Sequence, residues 1–261
     1  MKPIITETIK YIGVDDDNLD LFESQYIVPN GISYNSYLII DEKIAVMDTV
    51  DRRKSEDWWN NLEEALEGRT PDYLVVHHME PDHAGNIADF ISKYPDVKIV
   101  ASAKAIQMLP LFFEHMDFEG KTIAVKEGET LKLGKHTLQF FMAPMLHWPE
   151  TMVTWMPSEG TLFSGDAFGT FGALSEDITD GYDMFCDEMT RYYSNIVGKY
   201  GTPVQTALKK LSALDIKRIC STHGPVWEKE IAEVVNLYDR LSRYEAEHGV
   251  CIFFCNVSAT T

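Results

Sequence analysis

Positive charge is what this chain is short of: 23 lysines and arginines stand against 41 aspartates and glutamates, a formal net charge of −18. A surface of that sign repels a phosphate backbone or an anionic lipid layer at long range, so neither nucleic acid nor membrane is an expected partner. Cysteine is also sparse. Cys186, Cys220, Cys251 and Cys255 form no Cys-x-x-Cys pair, which argues for buried free thiols in a reducing compartment rather than a zinc or redox role. No run approaches the roughly 18 uninterrupted apolar residues of a membrane span, and the start Met1-Lys-Pro-Ile-Ile-Thr-Glu7 lacks the apolar core of a signal peptide. A cytoplasmic protein is the expectation. Gly/Ser-rich and Pro-rich linkers are missing too, so the 261 residues, 45% of them hydrophobic, read as one domain over 1–249 with a short tail over 250–261.

What is present is an alternation of strand and helix patterns. Ser33–Ile40 and Lys43–Met47 are rich in strand formers and joined by Asp41-Glu42, as in a hairpin. Ser55 to Glu67 places Trp58, Trp59, Leu62, Ala65 and Leu66 at helical spacing, with Gly68 as the stop. Tyr73–Val76 and Lys98–Ala101 read as buried strands, and helical patterns start at Asn86 and Ala105. From Lys121 to Phe163 five short strands follow one another, a meander that implies antiparallel pairing. After Phe185 the chain turns helical near Thr190–Tyr200 and Pro203–Leu214. A strand at Lys217–Cys220 and a long amphipathic helix over Glu228–His248 come last, the helix carrying Ile231, Val234, Val235, Tyr238, Leu241 and Tyr244 as a core stripe. The expected class is α+β, two facing mixed sheets flanked by helices.

Within this pattern His77-His-Met-Glu-Pro-Asp-His83 follows the strand Tyr73–Val76, and His78, Glu80, Asp82 and His83 converge only if the loop is irregular. Three further strand ends finish in a metal-type side chain beside glycine or proline: His147 in Met145-Leu-His-Trp-Pro149, Asp166 in Leu162-Phe-Ser-Gly-Asp166, and His223 in Ile219-Cys-Ser-Thr-His223-Gly-Pro225. Four imidazoles and three carboxylates suffice for two metal ions sharing a bridge. Left without metal they would be buried polar groups costing several kcal/mol in total. His77 should point away from its neighbour and serve structure. His115, His136 and His248 are assigned no role, Asp48 and Asp51 read as loop caps, and Asp177, Asp180 and Asp183 as a solvated acidic loop. Trp148 and Pro149 would fix the backbone after His147. Tyr193 or its neighbour Tyr192, and Tyr26 near the pocket entrance, are the candidate phenols beside such a centre.

The ordered set His78, Glu80, Asp82, His83, His147, Asp166 and His223 resembles the diiron domain of flavodiiron proteins, within the metallo-β-lactamase fold. Tyr34-Asn-Ser-Tyr-Leu-Ile39, His147-Trp-Pro-Glu-Thr-Met152, Ser164–Gly172, Arg191–Gly198 and Ser221–Trp227 are similar to the same family. The resemblance implies an αββα sandwich. It also implies that His78, Glu80 and His147 hold one iron and Asp82, His83 and His223 the other, with Asp166 as the bridge. Glu80 stands where hydrolytic relatives carry a histidine, and a hard carboxylate there favours ferric iron over ferrous.

The family continues into a flavodoxin domain whose FMN feeds the irons, usually across a homodimer. Here residues 250–261 look like the first flavodoxin strand and nothing follows, so FMN is not expected to bind this chain alone. The first expectation is therefore an oxygen-binding protein that pauses at a diferric-peroxo state, an O2 sensor speaking to a signalling or chemotaxis partner. The alternative is an O2 or NO reductase supplied by a separate flavin or rubredoxin-type donor. A zinc hydrolase ranks third, because Glu80 speaks against it.

Overall fold

The computed structural model describes residues 5–174, 178–179, 181–245 and 249. Seven short strands open the chain: β1 (Ile9–Tyr11), β2 (Val14–Asp16), β3 (Leu21–Phe22), β4 (Tyr26–Ile27), β5 (Ile32–Tyr34), β6 (Tyr37–Ile39) and β7 (Ala45–Met47). Helix α1 (Ser55–Leu66) buries Trp58, Leu62 and Leu66 on one stripe and ends where Glu67 and Gly68 turn left-handed. Then come β8 (Tyr73–Val76), the single turn α2 (Pro81–Ala84), α3 (Ile87–Lys93), β9 (Lys98–Ser102), α4 (Ala103–Phe112) and β10 (Thr122–Val125). The second half holds β11 (Thr130–Lys132), β12 (Thr137–Met142), β13 (Met152–Met156), β14 (Thr161–Gly165), α5 (Tyr182–Tyr192), α6 (Gly201–Leu211), β15 (Arg218–Ser221) and α7 (Ile231–Ser242).

Two sheets face each other. The first runs β1-β6-β7-β8-β9-β10 and the second β11-β12-β13-β14-β15. Strand residues alternate between two cores because successive side chains leave a strand on opposite faces. Tyr37, Met47, Val75 and Val100 of the first sheet meet Phe140, Met152, Phe163 and Cys220 of the second, with the Tyr37 and Phe163 rings 5.6 Å apart. Their neighbours Val46, Leu74, Val76 and Ile99, and on the other sheet Val153, Leu162 and Ile219, share the helix-covered core with Trp58, Phe90, Val204 and Val234. The αββα sandwich expected from the sequence is the architecture found, and among the described residues no helix is long and apolar enough to cross a membrane.

Several local expectations are corrected. Ser33–Ile40 is not one strand: β5 pairs with β2 in a two-stranded ribbon and β6 joins the large sheet, because Asn35 and Ser36 leave the ladder to bond Ser221, Gly224 and Asp48. Strand β10 is not part of the antiparallel meander; it lies parallel to β9 at the edge of the first sheet. Asp183 sits in the first turn of α5, not in a loop. The last helix is shorter than its apolar stripe, since Tyr244 turns left-handed and is exposed. His248, Asp177, Asp180, Cys251, Cys255 and the 250–261 tail lie outside the described residues.

Candidate metal centre

The connections leaving β8, β12, β14 and β15 converge on one point. At the end of β8 the His77 N–H donates to Asp48 Oδ1 at 2.7 Å, its ring Nδ1 lies 2.5 Å from Asp48 Oδ2, and its Nε2 lies 2.8 Å from Thr154 Oγ1. His77 is thus a buried structural clamp, as its position implied. Asp48 is more than a loop cap, because it holds that clamp from left-handed backbone, whereas Asp51 does cap the turn after it, accepting from Arg53 N. With His77 fixed, His78 faces the other way. The next residues are less irregular than expected: Pro81, with its preset φ, starts the turn α2, which carries Asp82 and His83 while Glu80 sits just before it.

The seven candidates fall into two adjoining groups, His78, Glu80, His147 and Asp166 in one and Asp82, His83 and His223 in the other, each with its polar atoms within 4.8 Å of one another. Glu80 Oε2 lies 3.2 Å from His78 Nε2 and 3.1 Å from His147 Nε2, and Asp166 Oδ2 is 3.1 Å from the same His147 nitrogen. The other Asp166 oxygen turns to the second group, 2.9 Å from His83 Nε2, while Asp82 Oδ2 stands 3.2 Å from His223 Nε2. One carboxylate therefore offers one oxygen to each group.

Two of the imidazoles are held from behind. His78 Nδ1 lies 2.7 Å from Glu150 Oε1, which also accepts from Met79 N at 3.0 Å. His223 Nδ1 lies 2.6 Å from the Ser33 carbonyl, which fixes its Nε2 toward the cluster. Thr222 donates to Asp166 Oδ1 at 2.6 Å. Glu150 was missed as a functional residue by sequence reading; its only signal was its place in the stretch after His147. The Trp148 ring stands edge-on to His78, centroids 5.0 Å apart.

The electrostatics describe a site built for cations. Burial pushes the His83 and His147 imidazoles down, but for His83 the charges of Asp82 and Asp166, and for His147 hydrogen bonds with Asp166 and Glu80, outweigh it and hold each at about 9. Burial raises the Glu80 carboxyl, yet hydrogen bonds from His147 and His78 bring it down to about 2. Among the described residues Asp82 Oδ1 and His83 Nδ1, both buried, make no hydrogen bond, and Asp82 Oδ2 and His83 Nε2 meet only the other charged groups of the cluster. Buried polar atoms of that kind cost free energy unless something satisfies them, and a nitrogen and carboxylate set with no cysteine fits divalent or trivalent metal. Cys220 lies in the core on β15, where burial pushes its thiol up, and Cys186 is on α5.

The phenols are distributed differently from expectation. Tyr192, not Tyr193, approaches the centre: its ring is 5.6 Å from His223, while Tyr193 packs edge-on against Tyr238 at 4.9 Å. The Tyr26 hydroxyl donates to the Asn195 carbonyl. A cavity of about 470 Å³ opens beside Glu80 and Asp82, lined also by Phe22, Glu23, Tyr34 and Arg53 among others, and Tyr26 is not in its wall. Glu23 and Tyr34 were not singled out in the sequence. Burial, then Glu80 and Asp82, push the Glu23 carboxyl up to about 7, and Tyr34 accepts from Arg53 at 3.0 Å. His136 lies elsewhere, between Thr8 and Ser158.

Residues 32–224 match the model of the ODP family beta lactamase. The chain is 35% identical over 241 residues to a nitric oxide reductase of Moorella thermoacetica, covering 90% of this chain and 60% of that one. It is 32% identical to an anaerobic nitric oxide reductase flavorubredoxin of Salmonella arizonae, covering all of this chain and 55% of the relative. Among solved structures, rubredoxin:oxygen oxidoreductase of Desulfovibrio gigas superposes with a TM-score of 0.88 at 31% identity, covering 93% of this chain and 62% of the other. A flavo di-iron protein of Thermotoga maritima superposes with a TM-score of 0.85 at 28% identity, over 95% of this chain and 64% of that one. The chain spans a little over half the length of these two curated relatives.

Proposed function

We propose, from the premise that this chain belongs to the ODP family of β-lactamase-like proteins, that residues 1–249 are the non-haem diiron unit of an O2 or NO reductase whose electrons arrive from a flavin or rubredoxin-type donor. The observation that carries this is the paired donor set, in which Asp166 faces both groups and Glu80 supplies a carboxylate to the first. The names of the relatives, nitric oxide reductase and rubredoxin:oxygen oxidoreductase, favour this reading over oxygen sensing or chemotaxis.

In this reading His78, Glu80 and His147 hold one iron, Asp82, His83 and His223 the other, and Asp166 both. Bound there, two ferrous ions would supply one electron each to O2 or to a pair of NO molecules. Reduction of O2 to water takes four electrons, so a donor must deliver the second pair. The protein's own part is positional. Glu150 and the Ser33 carbonyl select the tautomers that aim His78 and His223 inward, and Thr222 limits rotation of Asp166. Glu23 and Tyr34 put proton-bearing groups at the mouth.

The test loads metal-free protein with ferrous iron under anaerobic conditions, then adds O2 or NO with a reduced flavoprotein or rubredoxin donor. The proposal expects two irons per chain and gas consumption well beyond the stoichiometry of bound iron. A single stoichiometric uptake with a long-lived coloured adduct would instead support oxygen holding. Two zincs with ester or amide hydrolysis would support the hydrolase.

A further inference from the structure

We infer that Asn35 is a positioning residue for the metal centre: its buried amide holds the loop that aims His223 and, through Thr222, the carboxylate that the two groups share. The inference rests on the proposed two-metal reading. Residues 33–40 are rich in strand formers, yet the ladder breaks at Asn35 and Ser36, between β5 and β6. A broken ladder leaves buried backbone groups that other partners must satisfy. At Asn35 those partners lie on one loop. Its N–H donates to the Thr222 carbonyl at 2.8 Å, and its side-chain amide donates to the carbonyls of Ser221 at 2.9 Å and Gly224 at 2.7 Å. The amide oxygen accepts from the Tyr11 hydroxyl at 2.8 Å, which keeps the amino end of the amide turned to the loop. Asn35 is fully buried, so these bonds have no water to replace them.

The loop held in this way makes two connections into the centre. His223 lies between the anchored carbonyls, and its Nδ1 donates to the carbonyl of Ser33, on the same segment as Asn35. Thr222 donates to Asp166 Oδ1 at 2.6 Å, the oxygen that lies 2.9 Å from His83 Nε2, while Asp166 Oδ2 lies 3.1 Å from His147 Nε2. A shift of the loop therefore moves a ligand of the second group and turns the shared carboxylate with it. Ligand constellations work only when held to within about 0.5 Å, so such a shift is felt as lost affinity. Position 35 needs an amide. A carboxylate would set its negative oxygens against two carbonyl oxygens, and a leucine of similar size would offer the Gly224 carbonyl and the Tyr11 hydroxyl nothing.

The first measurement needs no metal. In the metal-free wild type, proton NMR should show the buried His223 Nδ1–H as a downfield, slowly exchanging resonance. That resonance should be lost in Asn35→Leu and shifted in Tyr11→Phe, which keeps Asn35 but lets its amide turn. Should Asn35→Leu misfold, Tyr11→Phe carries the test alone. The second measurement titrates metal-free protein with Mn(II), followed by electron paramagnetic resonance. The wild type should bind two ions as an exchange-coupled pair. In the variants the affinity of the second group should fall on the order of 10- to 100-fold, the first group should lose much less, and the coupling should weaken. Equal losses at both groups, as general destabilisation gives, or an unchanged resonance and an unchanged pair in folded variants, would overturn the role of Asn35. Wild-type protein that binds one ion or none would sink the two-metal reading instead, while the His223 resonance still judges Asn35.

Discussion

At the scale of single residues, the centre depends as much on side chains that touch no metal as on the seven that face it. Glu150 is the clearest case: it is buried, and its Oε1 holds both His78 Nδ1 and the Met79 N–H. Glu150→Gln keeps the shape but removes the charge that supports the imidazole. Metal affinity should fall on the order of 10- to 100-fold, measured by competition with a chelator. The tyrosine pair gives a second prediction. Tyr192→Phe should change the rate of gas reduction, because that ring lies against His223, whereas Tyr193→Phe should leave the rate alone and alter only packing with Tyr238. Equal effects on steady-state turnover would refute this division. The sequence left Tyr192 and Tyr193 as alternatives, since which of two adjacent rings turns toward His223 is set by how α5 runs into the following wider turn.

At the scale of elements, strand ends and turns aim the ligands. Gly224, directly after His223, has φ +76, and a Cβ there would meet Thr170 Cγ2 at 2.0 Å. Its carbonyl accepts from Asn35 and its N–H donates to Ser33. Gly224→Ala should therefore displace His223 and lower the iron content of the second group, read by metal analysis and by loss of thermal stability. A different turn tests pH dependence. Asp41, in the β6–β7 connection, accepts from the N–H groups of Glu42, Lys135 and His136, which ties that connection to the β11–β12 turn. Burial raises its carboxyl, but the three backbone donors outweigh this and bring it below its ordinary value. A lowered folded value contributes stability above the unfolded value of the carboxyl and loses it as pH falls through the lower folded one. Asp41→Asn should cost about 1 kcal/mol near neutrality. The gap between variant and wild type in chemical denaturation should close on acidification below about pH 4.

At the scale of the whole molecule, the sandwich presents one edge where loops from both sheets meet, and a metal pair held by the seven residues would join them. Removing metal leaves Glu80, Asp82 and Asp166 facing one another with only imidazolium protons as compensation. Adding iron to metal-free protein at about a thousandfold excess over Kd should raise the melting temperature by roughly 10 °C, as ligation couples to folding. Calorimetry of loaded and chelated samples checks this, and no shift would mean that the folded cluster does not bind iron in preference to the unfolded chain.

Much of this was written in the chain itself. Short apolar runs such as Tyr73–Val76 and the apolar stripe of α1 fix local structure, because run length and helical spacing act over a few residues. The seven donor residues stood out because polar side chains at the ends of apolar strands break a pattern that burial enforces. Tertiary structure alone decided the rest. It split Ser33–Ile40 between two sheets, set β10 parallel to β9, brought Glu150 behind His78 across 72 residues of chain, and made Asp48 the holder of His77. Those outcomes depend on which distant groups can satisfy a buried hydrogen bond, and that choice is made only when the sheets are packed.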